Sequence, residues 1–477
     1  MIARVTLSVL ILAFVQIVLS FDFRNIVFTI ISQPDPYHSS VSKKLKEDIE
    51  NQVMEIENHR PVIHTTQDFS IPGDWTIFPL LRPLVSRYKG SDVRWIVFIE
   101  PHTAVRCGRL LESIANADRQ QDTMWIGYPL TDEEPRVIHH FHFYENLEED
   151  GGFVYPNFAS GFAMRIELMD MLLKQVERGE RKRNSDAFSI DPSYELAQLI
   201  YGDGDHPGPL LSADLSFCIV SGDQCATYPR QFYSCGSAIP EESIFFAVKT
   251  WTGFHASRTA VVKKTWGKRV SHLLFYSDKA DPLLPSINVG VPNTKSGHCA
   301  KTMAILKDAV RRARNLPGVN WIFLADDDTT LGVQRLCEVL SCFRGGSDVT
   351  VVGERYGYGV WNKETGLRGY DHGYDYITGG GGTAFSVAAA DALSKCRCTK
   401  SNDPDDMTIG ACALHRNITL THSSLFHQAR PQDYPREALV DRPVSFHRHS
   451  SPDPFRVYTT WFYHDDLALK RRKREEL

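Results

Sequence analysis

Three consecutive carboxylates, Asp326, Asp327 and Asp328, follow directly on an apolar run over residues 321–325. Like charges this close repel, and holding them at a strand end costs free energy unless a cation or hydrogen bonds offset them. A hard divalent ion is the natural offset, because Mg2+ and Mn2+ take carboxylate oxygens and leave positions for phosphate oxygens. A second acidic cluster, Asp403, Asp405 and Asp406, precedes an apolar run over 409–414. Alone, either cluster reads equally as a solvated turn or as acids complementing a helix N-terminus. Together they offer a division of labour, one set holding metal and phosphate while a separate carboxylate serves as general base. Gly379, Gly380, Gly381 and Gly382 lie between them and permit close backbone approach to a ligand, as any flexible turn does.

These side chains need elements to position them. Apolar runs over 243–248, 272–276 and 320–325 alternate with helical patterns such as 299–314. That alternation predicts an α/β architecture with a largely parallel sheet, whose ligands gather at the carboxyl ends of the strands. The same pattern occurs twice. Residues 95–103 align without a gap on 321–329, which sets Glu100, Pro101 and His102 opposite the three aspartates. Residues 155–164 align on 376–385, and 191–194 on 403–406, where Ser193 and Tyr194 face Asp405 and Asp406. A period this long excludes a solenoid and predicts two tandem domains of one architecture. The first has lost both acid sets, so it is expected not to catalyse but to shape the acceptor surface or stabilise the second.

A length of 477 residues accommodates two or three domains, and 42% hydrophobic with 23% charged residues is an ordinary globular composition. Lys plus Arg number 53 against 58 Asp plus Glu, a net charge of -5 that argues against a nucleic-acid partner. Residues 1–20 read as a signal peptide and are shorter than a membrane anchor needs. Arg474, Glu475, Glu476 and Leu477 read as a variant endoplasmic-reticulum retrieval signal, which implies a retrieval receptor and a luminal protein. Ten cysteines suit that oxidising compartment, and Cys396 and Cys398 read as structural pairs because one intervening residue fits neither zinc nor thioredoxin spacing. Asn417, in an Asn-Ile-Thr triplet, is a glycosylation acceptor if exposed. The expected division is a signal peptide over 1–20, a degenerate domain over 21–225, a linker over 226–242, a catalytic domain over 243–470 and a tail over 471–477.

Taken together, Ala247, Val248, Lys249 and Thr250, then Phe254, His255 and Arg258, then Lys264, Thr265 and Trp266, then Tyr276, Ser277 and Asp278 open a distinctive series. It continues through 325–328, 378–384, 404–408 and Leu425, Phe426 and His427. The series resembles the Fringe-like β-1,3-glycosyltransferases over about 243–450. The segments 353–359, 376–379, 395–398 and 426–431, with the tandem organisation and the tail, are similar to the glucose-transferring branch of that family. The resemblance implies two GT-A-like domains and inverting transfer of glucose from UDP-glucose to O-linked fucose on thrombospondin type 1 repeats. It implies Mn2+ or Mg2+ on Asp328 and His427, with Asp326 and Asp327 on the donor. Thr250, Arg258, Asp278, Gly380 and Gly381 line the donor pocket, and Asp406 is the base with Asp405 in support. The residues alone leave Asp403 open as the base. They also leave open N-acetylglucosamine transfer of the Fringe type, a hydrolase using the same acids, and a non-catalytic luminal lectin.

Overall fold

The computed structural model describes residues 21–132, 138, 153–181, 188–202, 207–360, 373–449 and 453–475. The expected signal peptide and the last residues of the expected retrieval signal lie outside them. Two mixed sheets carry the chain. In spatial order the first runs Ser212–Ala213, Trp125–Gly127, Phe162–Arg165, Trp95–Ile99, Ile26–Ile30 and Val62–Thr65. The second runs Leu420–His422, Val351–Gly353, Thr383–Ser386, Trp321–Asp326, Ile244–Lys249, Leu273–Ser277 and an added edge strand, Ser286–Asn288.

Strand senses coincide position by position. Phe162–Arg165 is antiparallel to both neighbours, and so is Thr383–Ser386, while the remaining pairs in each sheet are parallel. Register coincides as well, with Ile26 opposite Trp95 and Ile244 opposite Trp321. The central strands are apolar along their length because helices cover both faces. Alternate residues therefore enter different cores. Phe28, Trp95 and Val97 pack with Leu45, Ile49 and Leu110 on one side, while Val27, Ile96 and Phe98 pack with Leu168 and Leu172 on the other. Phe246 and Phe323 on one face of the second sheet, and Phe245 and Ile322 on the other, repeat the arrangement.

The two halves are joined by more than chain continuity. Phe188–Ser189 pairs antiparallel with Arg355–Tyr358, which pairs with Tyr374–Ile377, so a three-stranded sheet crosses between them. Gln33 Nε2 donates to the His422 carbonyl at 3.0 Å, and the His422 amide donates back to Gln33 Oε1 at 2.7 Å. The segment expected as a linker over 226–242 opens with a strand of the first half. Thr227–Pro229 pairs with Thr103–Val105 just as Ser445–His447 pairs with Thr329–Leu331. Four disulfides join Cys218 to Cys225, Cys235 to Cys342, Cys299 to Cys398 and Cys396 to Cys412. Cys396 and Cys398 thus belong to separate bridges. No helix among the described residues is long and apolar enough to cross a membrane.

Candidate active site

The strand Trp321–Asp326 delivers its last residue at the carboxyl edge of the second sheet, and the turn that follows carries Asp327 and Asp328. Thr329 shapes that turn: its hydroxyl accepts from the Asp326 amide at 3.1 Å and donates to the Gly380 carbonyl at 2.9 Å. The next residues pair with Ser445–His447, and Thr329 stands opposite His447. That register brings a histidine to the acids. His447 Nε2 lies 3.2 Å from Asp328 Oδ1, and Nδ1 hydrogen-bonds the Gln428 carbonyl at 3.0 Å.

Asp326, Asp328 and His447 form the one group among the described residues whose ligand atoms, all within 4.8 Å of one another, could share an ion. Two hard carboxylates and an imidazole suit Mn2+. The Nδ1 contact aims Nε2 at the acids, as the outer hydrogen bond of a ligating histidine does. Burial would raise the Asp328 carboxyl, but the His447 hydrogen bond and the charges of His447 and Arg258 hold it well below the carboxylate range. Burial would likewise lower His447, yet its bond to Asp328 raises it. The expectation of His427 in this group is corrected to His447. His427 is buried, its ring stacked 5.0 Å from Phe446 and 4.6 Å from Tyr434, and burial drops its pKa to about 3.

Arg258 spans the two inner acids, 3.1 Å from Asp327 Oδ1 and 2.8 Å from Asp328 Oδ2, with Phe254 beneath its guanidinium. Thr250 Oγ1 donates to Asp327 Oδ2 at 2.6 Å. Burial nonetheless raises Asp327 to about 6, against that hydrogen bond. Asp278 stands apart from the acids at the end of the neighbouring strand, where it accepts from the Thr252 amide at 2.8 Å. Gly380 and Gly381 are not a free cradle, because both amides donate to Gln428 Oε1, at 2.8 and 3.3 Å. Gly380 is there for space: a Cβ would come within 2.4 Å of His447 Nδ1.

The second acidic cluster opens the helix Asp405–His415. Its three carboxylates have three fates. Asp403 accepts from the Lys400 amide at 2.6 Å, a contact within its own turn. Asp405 accepts from Lys249 Nζ at 2.6 Å and Thr302 Oγ1 at 2.5 Å, and these hold it ionised against burial. Among the described residues Asp406 has no cationic side chain in contact, only the backbone amides of Met407, at 2.8 Å, and Gly379. Burial first, then the charge of Asp405, pushes Asp406 up to about 7, where a carboxylate works as a general base near neutrality. Lys249 links the clusters, since its Nζ also lies 3.1 Å from Asp326 Oδ1, and both acids keep it charged despite burial.

Thr302 is the participant that motif reading passes over; Lys249 stands in the series that carries the resemblance and His447 in a histidine-rich stretch, without a role read for either. Asn417 is exposed, at positive φ just past the helix end.

A family model described as Fringe-like matches residues 239–467. A β-1,3-glucosyltransferase of Mus musculus is 40% identical over 467 residues, covering 96% of this chain and 91% of that protein. The β-1,3-glucosyltransferase of Homo sapiens is 39% identical over 467 residues, covering 96% and 89%. The β-1,3-N-acetylglucosaminyltransferase manic fringe of Danio rerio is 27% identical over 218 residues, covering 41% of this chain and 61% of that protein.

Proposed function

The chain belongs to the Fringe-like β-1,3-glucosyltransferases, and from that premise we propose that it transfers glucose from UDP-glucose, with inversion, to the 3-hydroxyl of fucose O-linked to thrombospondin type 1 repeats. The observation that supports the mechanism is the Lys249 bridge, which ties Asp326 of the carboxylate–histidine group to Asp405, the chain neighbour of the carboxylate of raised pKa, Asp406. Asp326, Asp328 and His447 would hold Mn2+, whose chemistry when bound is to neutralise charge on a departing diphosphate. Arg258 and Thr250 stand where the donor's phosphates and ribose would meet the strand ends, with Asp278 at the nucleotide end.

Asp406 takes the proton from the fucose hydroxyl as that oxygen attacks the anomeric carbon. Its neighbour makes this favourable. Asp405 is held as an anion by Lys249 and Thr302, so protonating Asp406 relieves the repulsion between adjacent carboxylates. Asp405 is a positioning residue, and Asp403, bonded to the Lys400 amide of its own turn, is not the base in this reading.

We read the two sheets as tandem GT-A-like domains, the first non-catalytic, with the division falling after Pro229 rather than at 225. The first buttresses the acceptor side of the second through the shared three-stranded sheet. A signal peptide, the C-terminal retrieval signal and four disulfides agree with residence in the endoplasmic-reticulum lumen. The test is a transfer assay on an O-fucosylated thrombospondin repeat with Mn2+, running UDP-glucose beside UDP-N-acetylglucosamine, with a chelator and an Asp406→Asn control. Glucose addition that needs both metal and Asp406 is the expected result. Addition of N-acetylglucosamine instead would assign the site to Fringe-type chemistry, and no transfer would leave a luminal lectin.

A further inference from the structure

The helix Asp405–His415 has three faces. Asp405, Ile409 and Ala413 turn to the core and Lys249. Asp406 and Gly410 turn to the strand Tyr374–Ile377, so closely that a Cβ on Gly410 would lie 2.4 Å from the Tyr376 Cβ. The remaining face, Thr408, Cys412 and His415 at steps of four and three residues, with Pro404 at its cap, lines an open groove of about 720 Å3. One end of the groove lies beside the base. Met407, whose amide donates to Asp406, and Tyr374 both line it.

Lys395, Arg397, His415 and Arg416 line the groove, against Asp403 as its one carboxylate. His415 and Arg416 sit at a helix C-terminus, where cations offset the dipole, and need no other reason. Lys395, just past the end of the helix Val387–Leu393, has the same local reason, whereas Arg397 lies beyond that helix end and has none. Lys395 is paired with Asp391 at 2.8 Å, whereas among the described residues neither Arg397 nor Arg416 has a carboxylate partner, and both are exposed. Arg397 is held from both sides, since Cys396 is bridged to Cys412 of the helix and Cys398 to Cys299. The result is a cationic groove, pinned by two disulfides, one end of which holds Met407 and Tyr374, the neighbours of Asp406.

We propose that this groove docks an acidic stretch of the acceptor protein's own polypeptide and so brings its attached sugar to Asp406. The inference rests on the reading that the acceptor is a glycoprotein. Charge complementarity of this kind steers encounter and register more than it strengthens the chemical step. It should therefore be felt by a folded protein acceptor and not by a bare sugar.

The test uses the full chain carrying Arg397→Glu with Arg416→Glu, assayed on a folded O-fucosylated repeat and on p-nitrophenyl α-fucoside. Expected is a rise of about tenfold in KM for the protein acceptor, with its kcat and the kinetics on the fucoside within about twofold of wild type. The milder Arg397→Gln, Arg416→Gln pair should fall between. Raising salt from roughly 50 to 300 mM should weaken wild-type use of the protein acceptor and leave the Glu variant nearly unaffected. A variant that uses the protein acceptor as wild type does, or one that loses both acceptors equally, overturns the groove's role alone. A wild-type chain that transfers to neither fucosyl acceptor overturns the functional reading and the groove with it.

Discussion

The two halves share a strand order and a turn geometry and differ at the turn where the second half carries its acids. In the first, the Glu100 amide donates to Thr103 Oγ1 at 3.0 Å and that hydroxyl donates to the Ala159 carbonyl at 2.9 Å, the same pair of bonds that Thr329 makes in the second. The Arg230 amide donates to the His102 carbonyl as the Arg448 amide donates to that of Asp328. The acids therefore did not shape the turn; they were placed on a turn that forms without them. Pro229 stands opposite Thr103 where His447 stands opposite Thr329, so the first half has no counterpart of that histidine or of the carboxylate pair. Its Ser193 and Tyr194 have become packing, with Tyr194 buried 4.3 Å from Phe153 and 5.4 Å from Tyr155. Its turn is closed off. His102 is hydrogen-bonded to Tyr37 at 3.1 Å, and the Tyr37 ring lies 5.5 Å from Phe343 of the second half.

The largest test of this asymmetry is Asp406→Asn, which should lower kcat by about a thousandfold. Because burial raises the Asp406 pKa to about 7, kcat of the wild type should climb with pH through about 7 and level off above it. Stability should move the other way. Across the window from the ordinary carboxylate pKa to about 7, the folded chain holds a proton that the unfolded chain releases, so this group's contribution falls as pH rises. Thermal unfolding of the Asn variant should lose that slope, and an unchanged slope would count against the assignment.

Next in size is the contrast between two histidines of the second half. Replacing His447 with Ala should raise the Mn2+ concentration for half-maximal activity by about tenfold or more. His427→Ala should instead leave metal dependence unchanged and cost about 3 kcal/mol of stability, through a cavity beside Phe446 and Tyr434. Metal titration and denaturant unfolding of the two variants separate the roles.

Smaller still is the effect of cutting one contact between the halves. Trp75 Nε1 donates to Asp375 at 3.1 Å, and Asp375 lies in the strand against which the base helix packs. Trp75→Phe should cost about 1–3 kcal/mol, because it leaves a buried carboxyl without its donor. It should lower kcat severalfold while the Asp406 limb of the pH profile shifts. A pure stability loss with an unmoved profile would make the first half only a prop. Smallest is Glu100→Gln, in the position matching Asp326, which should change transfer by less than about twofold. Burial pushes the Glu100 carboxyl up to about 7, so the amide should also stabilise the chain above that pH.

Much of this was legible in the sequence for local reasons. The strand of 321–325 and the helix of 299–314 were read nearly to the residue, because apolar spacing and the acids that follow are properties of short segments. The repeat was legible because turn and strand residues persist where acids do not. His447 was passed over for His427, since both lie in histidine-rich stretches and only a strand pairing over more than a hundred residues tells which faces the acids. Lys249 looked like an ordinary strand end. The glycine run looked like a ligand cradle, and Gln428 proved to occupy its amides.

The amino-acid sequence by itself determined the architecture, the two acidic clusters and the loss of both from the first half, because each is a matter of residue type at fixed short spacing. The tertiary structure alone decided which carboxylate is free to take a proton. Asp403, Asp405 and Asp406 are chemically alike in the chain and differ only in what packing sets beside them: a backbone amide at a turn, a buried lysine, or a desolvated crevice next to a like charge.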